Sequence, residues 1–215
     1  MRTLSFLLVL ALVIGSCQNQ GTQTEDTPAE DTADTTAYTL TPFEASEAYP
    51  AAELQSMEFQ DGQFNFSVSN YELGVQTPDA DQKMCANSDQ GQHIHLIVDR
   101  QPYAAKYVSS FEYEIADGEH YLLAFLSRSY HESIKNGTAH IAQKVTVEDN
   151  SITASEDISE HMLFYSRPKG TYVGKAQTEK VMLDFFLHNI DLTEGHKVKA
   201  EINGETHMID TWQPY

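Results

Sequence analysis

The stretch "HIHLIVD", residues 93–99, decides how the chain is read. Side chains alternate across an extended strand, so Ile94, Leu96 and Val98 share one face while His93, His95, Ile97 and Asp99 share the other. The first face is wholly apolar and is predicted to look into a core. The two histidines then project outward together, their Cα atoms roughly 6.5–7 Å apart at normal strand rise.

The same texture continues on either side. "GQFNFSVSNYEL" (62–73) alternates Phe64, Phe66 and Val68 against polar neighbours, the period of a half-buried strand. "YAAKYV" (103–108), "SFEYEI" (110–115), "HYLLAFLSR" (120–128) and "HIAQKVTVED" (140–149) read as further strands, with Asp117-Gly118 as a tight turn. "SYHESIKNG" (129–137) reads as a single helical turn ended by Asn136-Gly137. Short strands separated by turns, with no convincing amphipathic helix, predict an all-β, antiparallel, immunoglobulin-like β-sandwich over residues 42–150.

A second β-sandwich-like unit is expected over 160–215. "KVMLDFFLHNIDLTEG" (180–195) places Phe185, Asn189 and Leu192 at the offsets of Phe66, Asn70 and Leu73. A strand follows each copy, and Lys197 and Lys199 stand where the first copy has His93 and His95. The second copy is much the shorter, which makes a C-terminally truncated unit the expectation. The alternative is a small appendage completed by the first unit.

The chain opens "MRTLSFLLVLALVIGSC": one arginine, an apolar run from Leu4 to Ile14, then small residues and Cys17. Residues 1–16 read as a secretory signal peptide, too short to span a bilayer as a helix. "IGSC" resembles a bacterial lipobox, which implies cleavage before Cys17 and lipidation at that residue. Residues 17–41 are rich in Thr, Asp and Glu with little to bury, and read as a disordered acidic tether. Within it "DTA" (31–33) and "DTT" (34–36) resemble O-glycosylation sequons of Bacteroidota, which would put glycans on Thr32 and Thr35. Gln18 after the cysteine gives no obvious inner-membrane retention signal. The expected location is the cell envelope, lipid-anchored, with the outer membrane favoured.

The net charge is −19, and Arg2 is the only basic residue before Lys83. Such a surface argues against nucleic acid and against adhesion to anionic headgroups. With Cys17 acylated, Cys85 has no intrachain partner, so the fold is not expected to lean on disulfides.

Two imidazoles at i and i+2 on one strand face can converge on a single ion, and imidazole suits copper and zinc. A third ligand is needed. His131 in "SRSYHES" is the first candidate, with Glu132, His120 and Asp99 as alternatives. The competing reading is a pair of ordinary solvent-facing or hydrogen-bonded histidines. The same loop offers Ser127, Arg128, Ser129 and Tyr130, where the arginine fork would grip a phosphate or carboxylate. Tyr103, Tyr107 and Tyr130 could stack on sugars. The chain contains no G-x-S-x-G, no H-E-x-x-H and no Gly-rich phosphate loop, so catalysis is not expected.

"GQHIHLIVD", "DGEHYLLAFLSRSYHESIK", and "RPKGTYVG" followed by "LDFFLHNIDL" resemble a family of Bacteroidota lipoproteins of unassigned activity, sometimes named automatically as phosphopeptide-binding. The resemblance covers most of the chain after the tether. It implies an envelope location and a β architecture. The leading functional expectation is a non-catalytic binding or scaffold module with its ligand site near the histidine strand and the SRSYHES loop, the ligand being a protein, peptide or glycan. A copper- or zinc-binding protein is the alternative, and phosphopeptide or anion binding by the Arg128 loop is a second.

Overall fold

The computed structural model describes residues 38–215, and Tyr38–Tyr215 form one compact unit. The signal peptide, Cys17, Thr32, Thr35 and the tether up to residue 37 lie outside the described residues. The strands run β1 (Glu53–Gln60), β2 (Gln63–Ser69), β3 (His93–Val98), β4 (Ala104–Lys106), β5 (Ser110–Glu112) and β6 (Gly118–Ser127). They continue as β7 (His140–Glu148), β8 (Ser151–Asp157), β9 (Met162–Arg167), β10 (Asp184–His188), β11 (Val198–Ile202) and β12 (Glu205–Ile209). Every pairing between these strands is antiparallel. Among the described residues helix is confined to short turns, the longest being α1 (Lys175–Thr178). Among the described residues no helix is long and apolar enough to cross a membrane.

Three hairpins are set by two-residue turns with both central residues at positive φ: Asp61-Gly62 (51° and 77°), Asp149-Asn150 (49° and 59°) and Asn203-Gly204 (50° and 83°). That is the turn whose twist matches the flanking strands, and Asn, Asp and Gly tolerate it best.

The fold is an antiparallel β-sandwich. A five-stranded sheet, β4-β3-β6-β7-β8, packs one face on a three-stranded sheet, β1-β2-β5. The predicted apolar face of β3 enters this core. Ile94, Leu96 and Val98 meet Leu122, Ala124 and Leu126 of β6, with Phe59, Phe64, Phe66 and Phe111 from the smaller sheet.

The opposite face of the large sheet departs from expectation. His93 and His95 were predicted to face outward, yet both are fully buried. The reason is the β9–β10 ribbon. Phe164 and Phe186 share a second core with Ile97, Leu123, Phe125 and Tyr103. Ile97, which follows His95 on this face, and Leu123 and Phe125 on β6 give it enough hydrophobic surface to hold a cover. For the same reason the boundary expected near residue 160 does not divide the core: residues of β9 and β10 complete a cluster begun by β3 and β6.

The two segments compared above still share local geometry. β1–β2 and β9–β10 are both antiparallel pairs. Asn70 and Asn189 each follow the second strand at positive φ, 53° and 56°. Each donates its side-chain amide to a carbonyl just ahead of the first strand, Ala51 and Ile158 respectively.

Other expectations are corrected. Residues 38–41, assigned to the tether, sit on the body: the Tyr38 hydroxyl meets His207 and the Ile202 carbonyl, and Leu40 joins a third cluster beneath β11–β12. These two side chains supply the buriable surface that the acidic segment lacks. Asp117-Gly118 does not join neighbours, because β5 pairs with β2 whereas β6 lies in the other sheet. Residues 129–137 form no helical turn.

Candidate metal centre

Register brings the site together. β3 pairs antiparallel with β6 so that His93 lies opposite Ser127. The chain leaving Ser127 therefore starts beside the histidines. It reverses at once: the Arg128 amide donates to the Glu132 carbonyl (2.9 Å), and the His131 amide donates to the Arg128 carbonyl (2.9 Å). The reversal sets His131 at φ 71°, a conformation that side chains other than Gly and Asn adopt reluctantly. Strained non-glycine positions of this kind concentrate at functional sites.

The result is a convergence of three imidazoles. Nε2 of His93 lies 2.8 Å from Nε2 of His95 and 3.1 Å from Nδ1 of His131. The three ligand atoms all fall within 4.8 Å of one another. A zinc-sized ion held at 2.0–2.1 Å in tetrahedral geometry spaces its nitrogens about 3.3 Å apart. The 2.8 and 3.1 Å spacings fall about 0.2–0.5 Å short of that value, a difference that small ring rotations can supply.

The outer nitrogens fix which atoms face inward. Nδ1 of His93 lies 2.8 Å from the Gly91 carbonyl, which can only accept, so the ring proton is on Nδ1 and Nε2 is bare. Nδ1 of His95 lies 3.3 Å from the Ser166 hydroxyl. When that nitrogen donates to Ser166, the His95 Nε2 is bare as well, and two lone pairs face each other at 2.8 Å. A cation between them converts this repulsion into coordination. A histidine whose second nitrogen is tied to a carbonyl or hydroxyl is the usual arrangement around a bound metal.

Burial sets the charge state. It lowers the His93 pKa to about 4, against an ordinary value near 6.5. His95 is held well below its ordinary value by burial first, then by His93 and His131. His131 is lowered by burial and then by the Arg167 guanidinium. All three rings are neutral at physiological pH, the form that binds metal.

A stability prediction follows with a definite sign. The unfolded chain binds protons at these rings below about pH 6.5 and the folded chain does not. Stability from this source is complete above pH 6.5 and is lost as pH falls toward 4, at up to about 1.4 kcal/mol per pH unit for each histidine. Urea unfolding of metal-free protein at pH 7, 6 and 5 reads this slope; His95→Gln should flatten it.

Aromatic walls hold the rings. Tyr103 stacks on His95 with centroids 3.6 Å apart and planes at 11°, and Phe125 and Tyr107 lie 4.9 Å from His95 and His93 respectively. Gly91 supports the far side at φ 87°. A Cβ there would sit 2.4 Å from the Val75 carbonyl oxygen, so the two backbones approach as only glycine allows. Gly91→Ala is expected to cost about 2 kcal/mol and to weaken metal binding roughly tenfold by shifting the carbonyl that orients His93. Unfolding midpoints and metal titration check the two effects separately.

The remaining candidates fall elsewhere. His120 and Asp99 pair with each other, Nδ1 to Oδ2 at 2.8 Å, at the far end of β3 from His93. Glu132 turns to Arg128 at 3.4 Å and accepts from the Ser46 hydroxyl. The expected anion-binding loop is corrected too. Ser127, Arg128, Ser129 and Tyr130 are all buried. The Arg128 guanidinium is engaged by Glu132 and the Glu47 carbonyl, Ser129 exchanges hydrogen bonds with Thr77, and the Tyr130 hydroxyl donates to Asp79. The Arg128 Nε has no partner, but it is buried with the rest of the loop, which offers no fork to solvent. Tyr103 is likewise buried and unavailable for stacking on sugars.

Sequence reasoning missed Ser166 and Arg167, which reach the site from β9. Nothing in their local sequence marks them. Gly91 was legible in principle, as a glycine two residues before a buried strand. No family model, no curated protein and no solved structure matches the chain.

Proposed function

We propose that the protein is a non-catalytic metal-binding module of the cell envelope, holding one copper or zinc ion through His93, His95 and His131. One observation carries the reading: three neutral imidazoles turn their inner nitrogens to a common point, with two of the outer nitrogens occupied by Gly91 and Ser166. Imidazole is a good ligand for both ions, and a set of three leaves a fourth position for water or another small ligand. The anchor at Cys17 belongs to the same proposal and rests on the lipobox alone.

The test is titration of the full chain with Cu(II) and with Zn(II) against a chromophoric chelator. One ion per chain is expected, with at least a hundredfold loss in the His93→Gln/His95→Gln double variant. Equal affinity in the two proteins would sink the reading.

A further inference from the structure

The centre has two needs of opposite sign. Three imidazoles turn ring nitrogens to a common point, and beside them stands a buried guanidinium that no carboxylate among the described residues meets. Arg167 is only 5 % exposed. Among the described residues no carboxylate pairs with it. Its register partner Asp184 is committed to Lys135 (2.6 Å) and the Ser133 amide (2.9 Å). The Arg167 Nε is buried with no acceptor. A buried charge without a counter-charge costs several kcal/mol, and it is normally paired or liganded.

Arg167 is joined to the histidines by one phenol. Its Nη1 donates to the Tyr103 hydroxyl at 2.8 Å, and that oxygen lies 3.4 Å from Nδ1 of His131. Lys169 adds positive charge, its Nζ standing 4.2 Å from the centroid of the Tyr103 ring. The three ligands are themselves neutral. A divalent ion placed among them would carry its full charge next to two cations, with nothing negative in the ligand set.

On the reading that His93, His95 and His131 hold a metal, we propose that the centre takes a small oxyanion, a carboxylate in the simplest case, as a further ligand to the ion, gripped on its other side by Arg167 and the Tyr103 hydroxyl. One oxygen coordinates the metal and the other accepts from the guanidinium. This gives the orphaned Nε–H an acceptor and offsets part of the positive charge. The metal-free protein, with neutral imidazoles and no ion, has much weaker hold on the anion. The site is thus built to bind metal and anion together, each raising the affinity for the other.

The experiment uses the full chain loaded with Cu(II). It is titrated with azide, followed by the azide-to-copper charge-transfer absorption, and then with acetate as the displacing carboxylate. The wild type is expected to bind both. Arg167→Gln should weaken both at least tenfold while copper is retained as tightly or more tightly. Arg167→Lys should recover part of the loss. Tyr103→Phe keeps the ring stacked on His95 and removes only the hydroxyl; it should weaken anion binding several-fold and serves if Arg167→Gln does not fold. Anion affinities that are the same in wild type, Arg167→Gln and Tyr103→Phe, with copper bound in each, would overturn this inference and leave the metal reading standing. Failure of the wild type to bind copper or zinc would remove both.

Discussion

Replacing Phe186 by alanine is expected to cost about 3–5 kcal/mol of stability. Phe186 is fully buried. It stacks on Phe125 (5.2 Å between centroids, 17° between planes) and receives the edge of Trp212 at 5.0 Å. β9 and β10 form a two-stranded ribbon of their own, joined to the large sheet by no strand pairing. Side-chain packing is therefore what fastens the cover over the histidine face. Deleting this fully buried aromatic ring removes its transfer free energy and leaves a cavity that the surrounding packed side chains close only in part. Trp212 is the only tryptophan, so its fluorescence reports this contact during urea unfolding. Metal affinity should fall with it, because β9 carries Ser166, the partner of His95. A cost below about 1 kcal/mol would mean that the ribbon merely rests on the sheet, and the burial of His93 and His95 would then need another cause.

The sequence was informative wherever a property is local. Apolar texture assigned strands to 93–99 and 120–128, and alternation in 93–99 separated its two faces, because the period of two is intrinsic to the extended backbone. β1, β8, β9 and β12 received no assignment from the sequence, and β8 is mostly exposed. The Asp149-Asn150 turn ahead of β8 was the available signal.

What failed was the step from faces to surroundings. An imidazole is equally compatible with solvent and with a cover, and the choice was made by Phe164 and Phe186, far along the chain. Arg128 shows the same limit. A lone arginine in a polar loop invites an anion, but its partners Glu47 and Glu132 reach it only in the folded protein. His131 was selected from the sequence by proximity to a strand end, and the β3–β6 register turned that proximity into contact.

The second large effect concerns His131 and separates function from folding. His131→Asn is expected to weaken metal binding at least about a hundredfold, since loss of an orienting partner alone typically costs ten- to a hundredfold and this removes a ligand. The same change should leave metal-free stability unaltered or raise it by up to about 1 kcal/mol. At φ 71° asparagine is better tolerated than histidine. The competing view, a histidine kept for structure, predicts the reverse: stability lost and metal affinity unmoved. Chelator competition and urea unfolding on the same two proteins decide between them. Only a residue held in an unfavourable conformation for the sake of a ligand gives a variant that folds as well or better and binds far worse.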